Sequence, residues 1–80
     1  MNMAVEVSLY PVGKEHLRHP VRDFVALVEK RGCTVATGPM SSIVSGSSKQ
    51  VFEALRVGYE QAVRESGCVM ILKASNVCPL

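Results

Sequence analysis

The sequence predicts an α+β fold in which strands and helices follow in the order βαββαβ. Three observations predict this order. Residues 4–10 and 68–75 alternate between apolar and other side chains, as half-buried strands do. Apolar residues recur at helical spacing in residues 20–31 and 48–66. Each of these helical segments is followed by Gly-Cys and another strand, so the chain divides into two similar halves.

Two halves of this size interleave as the split βαβ, ferredoxin-like arrangement. Right-handed crossovers then give a four-stranded antiparallel sheet of order 4-1-3-2, with both helices on one face. We call the other face the open face. Alternate strand residues point to it: Glu6, Ser8, Tyr10, Ser41, Ile43, Ser45, Ile71, Lys73 and Ser75. A face that mixes apolar and hydroxyl side chains is typical of a surface that pairs with a second copy or receives a small ligand.

The first half carries distinct start and stop signals. Pro11 ends the first strand, and Pro20 fits the first helical position, where its missing N–H is harmless. Gly32 is expected to end the first helix. Residues 33–37 then form the short second strand.

The third strand is expected over residues 40–45, after the turn pair Gly38-Pro39 and before Gly46, which ends it. Ser47 is followed three residues later by Gln50, which fits a capping box. The second helix therefore begins at this point.

The second helix, residues 48–66, contains one glycine and is followed by another. Gly58 costs about 1 kcal/mol against alanine, and a close approach to the sheet is one possible reason for it. Gly67 is expected to end the helix in the left-handed conformation.

Composition restricts the class of protein. Eighty residues predict one domain, 1–80, whose core alone is marginal, so a homodimer or a tetramer of dimers is expected. The net charge of +2 is spread along the chain, which disfavours a nucleic-acid partner. Neither a membrane span nor a signal peptide is evident, which predicts a cytoplasmic protein.

The three cysteines, Cys33, Cys68 and Cys78, do not form a disulfide framework. In the predicted sheet, Cys33 and Cys68 begin strands on opposite edges, about 14 Å apart. A disulfide requires Cα atoms within about 7 Å. We therefore predict free thiols and no bridge between these two.

Metal-binding and catalytic groupings are weak in this sequence. His16 and His19 are three residues apart but have no third ligand nearby, so no metal is expected. Cys78 could be a nucleophile, but a base would have to come from His16 or His19 by tertiary proximity. The sequence therefore predicts no catalytic residues and no cofactor.

Three positions have two interpretations. Residues 46–49, Gly-Ser-Ser-Lys, fit an ordinary helix cap better than a phosphate site, because the glycine spacing of a P-loop is missing. Glu6 either forms an ion pair with Lys73 on the neighbouring strand or faces a cationic or amino-bearing ligand. Tyr10 either contacts the second copy in a dimer or provides an aromatic surface on which a ligand ring stacks.

Four motifs, in order along residues 5–79, resemble the YkoF family. They are SLYP at residues 8–11, SSIVSGS at 41–47, VFEA at 51–54 followed by Tyr59, and SNVCP at 75–79. Members of that family are ferredoxin-like and bind thiamine or its hydroxymethylpyrimidine moiety. The namesake carries two such domains, and related single-domain proteins form dimers and higher oligomers.

The resemblance implies a non-catalytic protein that binds thiamine or hydroxymethylpyrimidine for transport, salvage or regulation. The implied ligand-binding residues are Ser8, Tyr10, Ser41, Ser42, Ser75 and Cys78, to which the charge argument adds Glu6. One alternative is a ligand-free regulatory or assembly module that oligomerises through the open face. Another is a small hydrolase or redox protein that uses Cys78. We expect thiamine diphosphate to bind no better than thiamine, because Lys73 is the one cation on the open face.

Overall fold

Four strands and two helices make up the fold, which a computed structural model describes for residues 1–13, 19–64 and 67–77. The elements are β1 (Asn2–Pro11), α1 (Pro20–Lys30), β2 (Thr34–Thr37), β3 (Ser42–Ser47), α2 (Ser48–Ala62) and β4 (Cys68–Ser75). The predicted order βαββαβ is confirmed.

The sheet is antiparallel throughout, with strand order β2-β3-β1-β4. This is the predicted order 4-1-3-2 counted from the opposite edge. Both helices pack on the face that carries the strand valines. The core cluster on that face contains Val5, Val7 and Val44 from the sheet, Phe24 and Val28 from α1, and Val51, Ala54 and Leu55 from α2.

The two helices approach each other closely at Gly58. A Cβ atom at this position would lie 2.7 and 2.8 Å from ring carbons of Phe24, which is itself buried. The sequence offered a close approach to the sheet as one possible reason for this glycine, whereas the close approach is to α1. Gly58 makes room for the Phe24 ring of α1.

The junction between β3 and α2 differs from the prediction in its strand bounds. β3 runs two residues further than expected, through Gly46, because Gly46 and Ser47 pair with Met3 and Asn2 of β1. The helix then starts without a loop. Ser47 caps it as predicted, since its hydroxyl oxygen accepts the backbone N–H of Gln50 at 3.2 Å.

The two helices end differently. Gly32 follows α1, as the sequence predicts, and adopts the left-handed conformation with φ +96°. α2 instead ends at Ala62, where the N–H of Val63 donates to the Tyr59 carbonyl at 3.1 Å. α2 therefore ends before the predicted stop at Ser66-Gly67, and the left-handed cap there stays a prediction because Ser66 lies outside the described residues.

Cys33 and Cys68 are buried and are not bridged to each other, as predicted. Cys33 precedes β2 and Cys68 begins β4, and these strands are the two edges of the sheet. Cys78 and His16 lie outside the described residues. In the ranges that the structure describes, no helix is long and apolar enough to cross a membrane.

Candidate ligand-binding site

Glu6 occupies the middle of the open face, on the central strand β1. Its backbone is paired with Ile43 of β3 on one side and with Lys73 of β4 on the other. The carboxylate accepts a hydrogen bond from the Ser41 hydroxyl at 3.0 Å and lies 3.9 Å from the Lys73 ammonium. Glu6 is therefore positioned by its neighbours on both sides.

The contact between Glu6 and Lys73 is the cross-strand pair that the sequence left open. The two residues are on neighbouring strands, as expected, but the two charged atoms are at the distance limit of an ion pair, and the Lys73 side chain is 83% exposed. Exposed pairs of this kind contribute little to stability. The pair thus leaves the Glu6 carboxylate, whose side chain is 47% exposed, accessible to another cation.

A small cleft opens beside the end of β1. The pairing between β1 and β3 stops at Val7 and Ser42, whereas β1 continues to Pro11 along β4. The space that β3 leaves is bordered by the turn before β3 and by the first half of α1. It forms a cleft of about 170 Å³ with an apolar wall that includes Phe24 and Val25.

Three of the predicted ligand-binding serines line this cleft, namely Ser8, Ser41 and Ser42. Ser8 and Ser41 belong to the open face. Successive side chains of a strand point to opposite faces, so Ser42 points to the helix side of the sheet. It is buried there. The hydroxyls of the cleft therefore come from both faces of the sheet.

The remaining predicted residues lie elsewhere. Tyr10 is on the open face, half-exposed, beyond Ser8. Ser75 pairs with Ala4, which is four residues from Ser8 along β1, or roughly 13 Å. Ser75 instead lines a wider cleft of about 430 Å³ at the other end of the face, with Thr34 and Ser45. Cys78 lies outside the described residues.

Sequence reasoning missed several residues of the small cleft, including Thr37, Met40 and Phe24. No pattern in the sequence marks them, because the cleft exists only where β3 stops short of β1. The observed strands have ten and six residues, whereas the sequence predicts residues 4–10 and 40–45, so the difference in length that makes the cleft was not evident from the sequence.

The site combines three kinds of chemical group. It offers hydroxyl groups, one carboxylate and an apolar wall within a few residues of one another. Among residues 1–13, 19–64 and 67–77, no cluster of three His, Cys, Asp or Glu side chains is placed to hold a metal ion. The raised pKa values of Cys33 and Cys68, which burial causes, favour their neutral thiols over the reactive thiolate.

The structure therefore defines a ferredoxin-like α+β domain with a cleft, lined by hydroxyl and apolar side chains, beside its open face. The comparison with protein families is more specific. The chain belongs to the thiamine-binding protein family, whose profile matches residues 5–76. No curated protein matches the sequence.

Solved structures share the fold. A hypothetical protein of Methanocaldococcus jannascii is 20% identical, with a TM-score of 0.82 over 94% of this chain and 79% of that one. A protein of Streptococcus pneumoniae is 16% identical, with a TM-score of 0.83 over 94% and 86%. A Thermotoga maritima protein, provisionally described as a thiamine biosynthesis/salvage protein, is 13% identical, with a TM-score of 0.80 over 94% and 83%. At these identities the likeness concerns the fold alone.

Proposed function

We propose that this chain is a cytoplasmic protein that binds thiamine or its hydroxymethylpyrimidine moiety and does not convert it chemically. The observation that carries the proposal is the link between the small cleft and the Glu6 carboxylate. Ser41 lines the cleft and donates its hydroxyl hydrogen bond to Glu6. One ligand can therefore contact the cleft and the carboxylate together. The match to the thiamine-binding protein family supports the ligand class.

The size of the cleft favours one ring. Pockets for drug-sized ligands measure roughly 300–1,000 Å³. A cleft of about 170 Å³ holds a single heterocycle against Phe24 and Val25, and not two rings. The pyrimidine fits this description, since its flat faces are apolar and its edge carries donors and acceptors that serine hydroxyls can match.

The charge at Glu6 favours a cation on the second part of the ligand. The thiazolium ring of thiamine carries a positive charge, and it follows the pyrimidine after a single methylene. With the pyrimidine in the cleft, the thiazolium lies over the open face near Glu6. The carboxylate then exchanges its long contact with Lys73 for a cation in direct contact.

A phosphorylated ligand gains little at this site. Lys73 is the one cation on the described part of the open face, and two phosphates usually need several. The alternative phosphate site at the start of α2 is weakened by its own hydrogen bonds. The N–H of Ser48 donates to the Met1 carbonyl at 2.8 Å, and the N–H of Gln50 donates to Ser47. We therefore expect thiamine diphosphate to bind no more tightly than thiamine.

Titration calorimetry with thiamine, hydroxymethylpyrimidine and thiamine diphosphate tests the proposal. Glu6→Gln should weaken thiamine roughly tenfold, about 1.4 kcal/mol, and leave the uncharged pyrimidine nearly unchanged. Glu53→Gln removes an exposed carboxylate on α2 and serves as the matched control. If neither thiamine nor the pyrimidine gives heat, or if Glu6→Gln weakens both alike, the proposal is wrong.

A second candidate function is assembly, favoured by apolar side chains on the open face. Tyr10, Val69 and Ile71 are 51%, 49% and 57% exposed and come from the two neighbouring strands β1 and β4. Such a patch is typical of an interface with a second copy. Analytical ultracentrifugation at micromolar concentration should then show a homodimer or a tetramer of dimers, and a monomer of 8.7 kDa would exclude it.

A further inference from the structure

The backbone of β1 carries an unpaired segment next to the small cleft. In an antiparallel strand, a residue directs its N–H and C=O to one neighbouring strand, and the next residue directs them to the other. Beyond Val7, the β3 side of β1 has no strand partner. Residues whose backbone groups point to that side therefore face the cleft.

Two hydrogen bonds establish which residues these are. The N–H of Val12 donates to the Gly67 carbonyl, on the β4 side, at 2.8 Å. The carbonyl of Met1 accepts from Ser48, next to β3, at 2.8 Å. Even-numbered residues of β1 therefore point to β4 and odd-numbered residues to β3. Pro11 agrees with this pattern. It is odd-numbered and points to the β3 side, where β1 has no strand partner at this position and no N–H donor is needed.

Leu9 is the odd-numbered residue that follows the last pair with β3, and it lines the cleft. Its N–H and C=O point together into the space that β3 leaves. Among the described residues, neither group has a backbone partner on that side. Backbone groups in such a position seek a partner of matching geometry.

We infer that the backbone N–H and C=O of Leu9 recognise the edge of a 4-aminopyrimidine-type ring that occupies the cleft between β1 and the turn before β3. The ring nitrogen accepts the Leu9 N–H, and the neighbouring amino group donates to the Leu9 carbonyl. The ligand thus takes the place of the missing β3 residue. The inference rests on the proposed function and adds to it the backbone groups that recognise the pyrimidine ring.

Amide hydrogen exchange in the unaltered protein tests this directly. Without ligand, the Leu9 amide should exchange faster than the Tyr10 amide, which is paired with β4. Saturating thiamine should slow the Leu9 amide at least tenfold and leave Tyr10 unchanged. If calorimetry shows binding and the Leu9 amide is not slowed, the inference is overturned and the proposed function stands. If no ligand binds, both fail.

An analogue with a 4-oxo group in place of the 4-amino group provides a second test. It exchanges donor for acceptor at both edge positions while keeping the ring size and the thiazolium. Binding should weaken at least tenfold, because the Leu9 N–H then faces a ring N–H donor and the Leu9 carbonyl faces the oxo acceptor. Equal affinity for the two compounds would mean that the Leu9 backbone does not read this edge.

A pair of variants on β2 locates the ring. Thr37→Phe places a large side chain at the rim of the small cleft, whereas Thr34→Phe places the same side chain at the wider cleft near Ser75. Both threonines are exposed, and both variants can be checked for folding by their melting temperatures. Thiamine affinity should fall in Thr37→Phe and remain in Thr34→Phe. The reverse result would place the ring in the wider cleft and overturn the inference.

Discussion

Gly58→Ala should destabilise the protein although alanine is the better helix former. The new Cβ atom would lie 2.7 and 2.8 Å from the Cε2 and Cδ2 atoms of Phe24. Carbon atoms in contact prefer about 3.5–4.0 Å, so the ring must retreat by roughly 0.8 Å. Phe24 is 2% exposed and packed in the core, so the free space beside its ring is the small cleft that it lines, and movement in every other direction meets core side chains.

The magnitude follows from two opposing terms. Overpacking of a dense core typically costs about 1–3 kcal/mol. The gain in helix propensity from glycine to alanine is about 1 kcal/mol. We expect a net loss of about 1 kcal/mol in the free energy of unfolding, or roughly 4–8 °C in melting temperature for a domain of this size.

Urea unfolding of both this variant and a matched one measures the effect. Gly67→Ala makes the same chemical change where no atom of the described residues lies within 4 Å of the new Cβ. That control should be neutral or slightly stabilising. Adding Phe24→Leu to Gly58→Ala should cost less than the sum of the two single changes. If Gly58→Ala proves as stable as the parent, the close contact is not a constraint and the reasoning fails.

Two further predictions concern Cys33, Cys68 and Tyr59. Burial raises the pKa of the Cys33 and Cys68 thiols, so their contribution to stability is complete below the unfolded value of about 8.5 and is lost as the pH rises through the folded pKa. Urea unfolding should show a fall in stability above that pH, which Cys33→Ala with Cys68→Ala removes; a fall that persists in the double variant would contradict this. Tyr59→Phe should cost about 0.5–1.5 kcal/mol, because the hydroxyl donates to the Cys68 carbonyl at 2.8 Å. Tyr10→Phe, at the other, half-exposed tyrosine, is the control, and an equal loss in both variants would argue against the Tyr59 bond.

Much of the fold could be predicted from the sequence because local signals and global packing agree. The alternation in β1 separates the buried Val5 and Val7 from the exposed Glu6, and Gly32 ends α1 as expected. The errors fall where tertiary contacts override a local signal. Pairing with β1 carries β3 through Gly46, and the packing of Phe24, not of the sheet, explains Gly58.

The candidate site was less accessible to sequence reasoning. Alternation correctly gave the faces of Glu6, Ser8 and Ser41, but it carries no information on how far apart residues lie along the strands. The distance of Ser75 from the other serines therefore became known only from the strand register, which places Ser75 at the far end of the open face. The cleft beside Leu9 depends on the difference between two strand lengths, and the backbone groups that it exposes belong to every residue type.

The position of Lys73 on an edge strand has a consequence for solubility. β4 has no neighbour on its outer side within the described chain, and its sequence runs through Val69, Met70, Ile71 and Leu72 before the lysine. Long apolar edges are templates for aggregation, and a charged side chain is the usual protection. The weakness of the ion pair with Glu6 leaves the ammonium hydrated at this edge. Replacing Lys73 with valine would therefore change how the protein behaves at high concentration well before it changed the free energy of unfolding.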